Sequence, residues 1–143
     1  MAETSLPPIR KAAVILTDAK KHVALARSHG VDKFYLPGGK PEGDETMLEA
    51  AVREAKEELN VDLSAIQLED RGAYHGEAHG KDPPRKLEMH VFIVPHATAL
   101  GLTPVASSEI AEVKYVSVEE AQGMLPALGA RILRELAEAG FVA

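Results

Sequence analysis

Apolar and polar positions along the chain fall into short blocks whose period switches between strand and helix. Arg10 to Thr17 is an apolar, β-branched run, Thr17 to Lys21 is polar, and His22 to Arg27 is apolar again, which predicts two strands joined as a hairpin. Ser28 to Lys33 reads as a loop and Phe34 to Leu36 as a short extended piece. The stretch 37–44, Pro-Gly-Gly-Lys-Pro-Glu-Gly-Asp, is too rich in Pro and Gly for either regular element. From Met47 to Leu59 the pattern becomes helical, with Leu48, Ala51, Val52, Ala55 and Leu59 on one face and Asp44 as the predicted N-cap. Gly72 to His79 and Leu87 to Val94 predict two strands joined across residues 80–84, and Glu112 to Val116 alternates as another. Ser117 with Glu120 matches a capping box for a short helix, and Pro126 fits the first turn of a final helix ending near Gly140. The order of strands, helix, strands, helix predicts an α/β (α+β) fold with a mixed sheet sandwiched between helices, and no repeat or linker divides residues 1–143 into more than one domain.

Composition narrows the chemistry. A chain of 143 residues, 45% apolar and 27% charged, has room for one sizeable core. Without cysteine, thiolate ligands and a cysteine nucleophile are excluded, and a reducing, cytoplasmic setting is the simplest expectation. Met1 to Pro8 lacks a charged segment followed by an apolar run, and no stretch is long enough to span a bilayer, so no membrane partner is expected. The formal charge of -6 argues against a nucleic-acid polymer as partner, because displacing its counterions needs clustered Lys and Arg. A small anionic ligand needs local help from glycine backbone donors, basic side chains or a bound cation.

All three meet between residues 38 and 58. Glu54, Glu57 and Glu58 share a sector of the helix flanking the apolar stripe, since positions three and four apart are neighbours. Like charges at that spacing cost an isolated helix about 0.2–0.5 kcal/mol per pair, a conflict that a hard divalent cation with oxygen ligands removes. Glu-rich surface helices are common, and Glu49–Arg53 and Arg53–Glu57 are ordinary i,i+4 pairs. The preceding loop changes the balance: Gly38 and Gly39 permit close backbone approach, and Lys40 adds a positive charge.

Loop and helix together form a longer pattern. Five residues separate Gly39 from Glu45, seven separate Glu45 from Arg53, and Glu54 is followed after two residues by Glu57 and Glu58. This resembles the signature of the Nudix hydrolase family (MutT-like) over residues 39–61, with Leu36-Pro37-Gly38-Gly39-Lys40 similar to its usual lead-in. Two positions depart: the apolar site after Arg53-Glu54 is the small Ala55, and Asn60 stands where the family has Gly. Asn tolerates the left-handed conformation of a C-cap, so the helix end is expected to survive.

The resemblance implies the Nudix α/β/α sandwich and a Mg²⁺-dependent hydrolase, with Mn²⁺ as a substitute ion. It assigns Glu54, Glu57, Glu58 and the Gly38 carbonyl to the metal, and a pairing of Arg53 with Glu45 that fixes the loop on the helix. The base that activates water is left open among Glu54, Glu58 and Glu109, the last in a later loop. Arg27, Gly39 and Lys40 are expected to contact the substrate. Phe34 invites comparison with a stacking aromatic, but a core or lid role is favoured, and His75, His79 and His90 read as ordinary polar surface rather than ligands.

The implied substrate is a small nucleotide-like diphosphate, a nucleoside diphosphate linked to another group, cut at a phosphoanhydride bond. A (deoxy)nucleoside triphosphate pyrophosphohydrolase is the first expectation, with a nucleotide-sugar or dinucleoside polyphosphate hydrolase as the alternative. The intact set of charged positions argues against a non-catalytic, Nudix-like nucleotide-sensing module, and the lack of cysteine against the isopentenyl diphosphate isomerases, which share the fold. Oligomeric state is open.

Overall fold

The structure is a computed structural model that describes residues 6–78, 81 and 83–143. Four strands form one mixed sheet in the order β3 (Gly38–Gly39), β1 (Ile9–Ile15), β5 (Lys86–Ile93), β4 (Glu69–Glu77). β1 runs parallel to β5 and antiparallel to β3, and β4 is antiparallel to β5. A second, two-stranded antiparallel sheet pairs β2 (Val23–Ser28) with β6 (Ile110–Val116). Among the described residues four helices accompany the sheets: α1 (Met47–Leu59), α2 (His96–Ala99), α3 (Val118–Ala121) and α4 (Ala127–Glu138). The mixed sheet between helices matches the sequence expectation.

Period-two alternation on β1 explains the layers. Ile9, Ala13 and Ile15 face a core shared with Leu128, Leu133 and Leu136 around α4, while Ala12, Val14 and Leu16 face a second core with Ala51, Ala55 and Leu59 of α1. Covered on both faces, the strand reads as a nearly unbroken apolar run.

The predicted hairpin forms only at its turn. Asp18 accepts hydrogen bonds from the Lys20 and His22 amides, each 2.9 Å, and Thr17 bridges Val23. Beyond the turn the strands part, because both edges of β1 are taken by β3 and β5 while β2 pairs with β6. The Gly38-Gly39 pair, expected to be irregular, is the short edge strand β3 against Ala12 and Ala13. The expected strand 72–79 begins earlier, at Glu69, and its His79 end lies outside the described residues.

α1 starts at the expected residue with a different cap. Asp44 sits in a turn in which the Glu45 amide donates to the Glu42 carbonyl, so the chain enters the helix two residues later. Thr46 is the N-cap: its hydroxyl accepts from the Glu49 amide, and Glu49 Oε1 accepts from the Thr46 amide at 2.8 Å. Thr46→Ala is therefore expected to lower stability by about 1 kcal/mol, and an unchanged midpoint in urea unfolding would contradict the cap's contribution. At the other end Asn60 is left-handed, φ 58°, and closes the helix as expected of that departure. The Ser117–Glu120 capping box opens α3, and Pro126 is the N-cap of α4. No helix among the described residues is long and apolar enough to cross a membrane.

Candidate active site

The buried face of α1 is turned from the one the apolar pattern predicts. Met47, Ala50, Ala51, Ala55 and Leu59 are buried, whereas Leu48 is 46% exposed. At about 100° per residue this rotation carries Glu54 and Glu58 from the flank of the stripe into the buried face. Small side chains allow it. Ala50, Ala51 and Ala55 let the helix sit close to β1 and β3, and the two carboxylates are drawn in beside the glycine strand.

The contact between strand and carboxylates is tight. A side chain on Gly39 would run into the Glu54 carboxylate, and one on Gly38, φ 149°, into the Ala12 carbonyl. The Gly38 amide donates to Glu58 Oε1 at 2.9 Å. Only glycine leaves room here.

Burial dominates the electrostatics of both carboxylates. It raises the Glu54 pKa, an effect opposed by Arg53 and reinforced by Glu57. Glu58 is pushed up to about 7 by burial, with Glu54 and Glu57 adding to the rise and the Gly38 amide and Tyr35 hydroxyl opposing it. The charged form is disfavoured in the fold, so Glu58 contributes stability fully present below its unfolded pKa and lost as pH rises through its folded value. The metal-free protein is therefore expected to unfold at lower urea concentration at about pH 8 than at about pH 5.5, and Mg²⁺ is expected to raise the midpoint more at the higher pH. A midpoint that rises with pH in the metal-free protein would overturn that assignment.

Arg53 ties loop to helix. Its Nε and Nη2 donate to the two oxygens of Glu45 at 2.7 and 3.0 Å, Nη2 also donates to the Lys40 carbonyl at 3.0 Å, and Nη1 donates to Glu57 at 2.9 Å. Glu54 lies 3.3 Å from Nη1. The guanidinium beside Glu45 holds that carboxyl below its ordinary range. Glu57 is exposed and faces Arg53, and among the described residues no three acidic or histidine side chains converge in ligating geometry. What does converge is an all-oxygen donor set of Glu54, which Arg53 also approaches, and Glu58, which has no basic partner among the described residues, beside the Gly38 backbone. That set suits a hard divalent cation.

Other predicted site residues are spread around this centre. Lys40 is exposed at the rim of a cleft, while Arg27 lies outside it: its guanidinium donates to the Val31 carbonyl at 3.0 Å, stands 3.5 Å from Glu112 and lies over Phe34 at 5.7 Å. Phe34 packs on the core, as favoured. Glu109 is exposed in the turn before β6, and the loop ahead of it is fastened to the end of α1 by the Ser107 amide on the Glu58 carbonyl and the Val105 amide on that of Leu59. His75 stands 3.3 Å from Glu88 and His90 2.7 Å from Asp70, so both pair with acids on the sheet and neither lines the cleft.

The cleft itself was not foreseen. One part, about 250 Å³, is bounded by Lys11, Tyr35, Leu36, Gly38, Glu58 and Met89. A neighbouring part, about 170 Å³, shares Lys11, Tyr35, Leu36 and Met89 and continues to Leu87, Leu125 and Leu128. Lys11 is half-buried, and burial, then the nearby Lys40 and Lys81 charges, lower its pKa. A lysine inside an apolar strand run was the only sequence signal for it.

The family model for the NUDIX domain matches residues 7–138, nearly the whole chain and all of this site. The chain belongs to the Nudix family. The enzyme reading made from the sequence, a Nudix pyrophosphohydrolase, stands with it. Nudix enzymes act on small nucleotide-like substrates and generally use a divalent metal. Among solved structures, the Nudix chain is similar to a MutT protein from Methanosarcina mazei Go1, at 23% identity and a TM-score of 0.76, over 96% of this chain and 98% of the other. It is similar to the E. coli dihydroneopterin triphosphate pyrophosphohydrolase at 18% identity and 0.73, over 96% and 100%. A C. elegans Ap4A hydrolase matches at 18% and 0.74, over 92% and 96%. At these identities the likeness carries the fold.

Proposed function

We propose that this Nudix chain, acting as one domain over residues 1–143, is a Mg²⁺-dependent (deoxy)nucleoside triphosphate pyrophosphohydrolase. The observation that carries the reading is the pair of half-buried carboxylates, Glu54 and Glu58, pressed against Gly38-Gly39 beside a cleft that holds Lys11. Glu54, Glu58 and the Gly38 carbonyl would hold the ion, joined by Glu57 when it leaves Arg53. A bound Mg²⁺, or Mn²⁺ in its place, would neutralise charge on the reacting phosphoanhydride and make water a better nucleophile.

The chain's own groups do the rest. Arg53 and Glu45 position the glycine loop so that the carboxylates and the substrate phosphates meet in one geometry. Gly39 permits close approach of the phosphates, and Lys40 at the rim offers them positive charge. Glu58 is suited by its place beside Gly38 and the cleft to accept the proton of the attacking water. Glu109 is the alternative base, carried on the loop fastened to α1, and Arg27 would reach phosphate only after leaving Glu112.

The test is pyrophosphate and phosphate release with Mg²⁺ across ordinary and oxidised nucleoside triphosphates, nucleotide sugars and dinucleoside polyphosphates, with Glu57→Gln as control. Pyrophosphate from triphosphates, abolished in the control, is the expected result. Cleavage of a dinucleoside polyphosphate or nucleotide sugar alone would replace the substrate assignment and keep the enzyme class. The first of these has a specific observation in its favour, the similarity to the Ap4A hydrolase.

A further inference from the structure

The rotation of α1 that carries Glu54 and Glu58 inward leaves apolar surface outside. Leu48 is 46% exposed, and Val52, one turn further on, is only half-buried. Exposed apolar side chains scattered singly are ordinary, whereas a contiguous patch marks a contact surface. This patch extends along the helix. At about 100° per residue Leu48, Val52 and Leu59 lie within about 40° of one another, on one flank of α1 about 16 Å long. The chain returns to the end of that flank at Val105, whose amide donates to the Leu59 carbonyl at 2.7 Å and whose carbonyl accepts from the Asn60 side chain at 2.8 Å. Val105 is 56% exposed, so an apolar strip runs from Leu48 past Val52 to Val105.

The border of the strip carries two charges that the fold leaves unpaired. Glu49 and Arg53 have the spacing of an ion pair, but Arg53 turns to Glu45 and Glu57 instead. Among the described residues Glu49 has no basic partner, and its Oε1 accepts from the Thr46 amide. Lys56 acts on Asp62 only as a more distant charge and has no acidic partner among those residues. Both are exposed. Seven residues apart, they stand on one side of the helix within about 20°, about 10 Å from each other along its axis.

We propose that this strip is an interface between two copies of the chain, with their α1 helices packed antiparallel about a two-fold axis beside Val52. A two-fold contact has to be self-complementary. Parallel packing of α1 against itself would set Glu49 against Glu49 and Lys56 against Lys56. Antiparallel packing sets Glu49 of each copy opposite Lys56 of the other, and Leu48 of each toward the Val105 end of the other. The modest size of Val52 at the crossing lets the two helices approach closely. Apolar contact holds the pair, while the exposed charges fix its direction more than its strength. Glu54 and Glu58 lie about 160° around the helix from Lys56, so the cleft stays open in the dimer. One helix flank and one loop make a small interface, of the kind found in reversible complexes.

The experiment is sedimentation equilibrium of the native chain at low salt from about 5 μM to about 1 mM, the range in which a small reversible interface titrates. The average mass is expected to rise from that of one chain toward twice that value. Leu48→Gln is expected to weaken association at least about tenfold, since an apolar side chain is lost from both copies. Glu49→Lys and Lys56→Glu, each alone, are expected to weaken it by a similar factor, because each sets like charges together at two places. An equimolar mixture of those two variants is expected to associate within a few-fold of the native chain, since every facing pair in the mixed dimer is again of opposite sign. High salt is expected to narrow the difference between the single variants and the native chain.

A native chain that stays monomeric throughout the range would overturn the proposal and hand the strip to a different partner or to none. Dimers that form equally well in Leu48→Gln and Lys56→Glu would place the interface elsewhere. A mixture of folded charge variants that associates no better than either alone would overturn the antiparallel arrangement. Urea unfolding of each variant establishes that it is folded. Glu49→Lys forfeits the tie to the Thr46 amide, but Leu48 and Lys56 make no side-chain hydrogen bond among the described residues, so their variants decide the outcome even if Glu49→Lys is unstable.

Discussion

Glu58→Gln is expected to reduce turnover by roughly 10²–10⁴-fold, the range for loss of a positioned proton acceptor, while leaving the metal-free protein at least as stable as native at pH 8. The two halves of that expectation have separate causes. Gln keeps an oxygen that can accept the Gly38 amide, so the 2.9 Å tie between helix and glycine strand survives. What it removes is a charge that burial and two neighbouring carboxylates disfavour. The fold loses nothing by the change, whereas under the proposed function the site loses an oxygen that would hold the ion and the group that would take the proton from water. Kinetics and urea unfolding on the same preparation check both halves. A stability loss that parallels the activity loss would mean that Glu58 is structural.

Arg53→Ala should act in the opposite way, through order rather than charge on the reacting atoms. One guanidinium on the helix joins Glu45 and the Lys40 carbonyl, so its removal frees the glycine loop from the helix at two residues. Groups that orient metal ligands typically carry about 10–100-fold in metal affinity, and the Mg²⁺ concentration for half-maximal turnover is expected to rise by that factor. Lys is not expected to rescue it, because a single ammonium cannot span both Glu45 oxygens and the carbonyl as the planar fork does. The helix itself should persist, since Thr46 and Asn60 close its ends independently of Arg53. Hydrogen exchange at residues 38–44 that stays as slow as in the native protein would count against this role.

The difference between Glu57 and Glu58 shows where reading a sequence reaches its limit. Both occupy required positions of the same pattern, and helical spacing places them with Glu54 on one sector. The structure separates them: Glu57 is exposed against Arg53 and Glu58 lies half-buried under Gly38. The cause is the rotation of α1, which exposes Leu48 and buries Ala50. Hydrophobicity ranks Leu above Ala, but the short distance to a glycine strand selects small side chains, and that distance is a property of the packed sheet. The N-cap moved from Asp44 to Thr46 for a related reason, the turn between Glu42 and Glu45 that the Arg53 fork holds in place.

What the sequence determined by itself was everything set by local spacing. Helix α1, its left-handed Asn60 end, the Ser117 capping box, the mixed strand and helix order and the charged pattern from Gly39 to Glu58 all depend on residues near one another in the chain. Only the tertiary structure decided which strands paired, since β1 and β2 share a turn yet join different sheets. It alone brought Lys11, Tyr35, Glu58 and Met89 to one cleft from four separate segments. No periodicity encodes such a meeting, because the burial of both faces of β1, and with it the direction in which Lys11 points, is settled only when the helices have closed over the sheet.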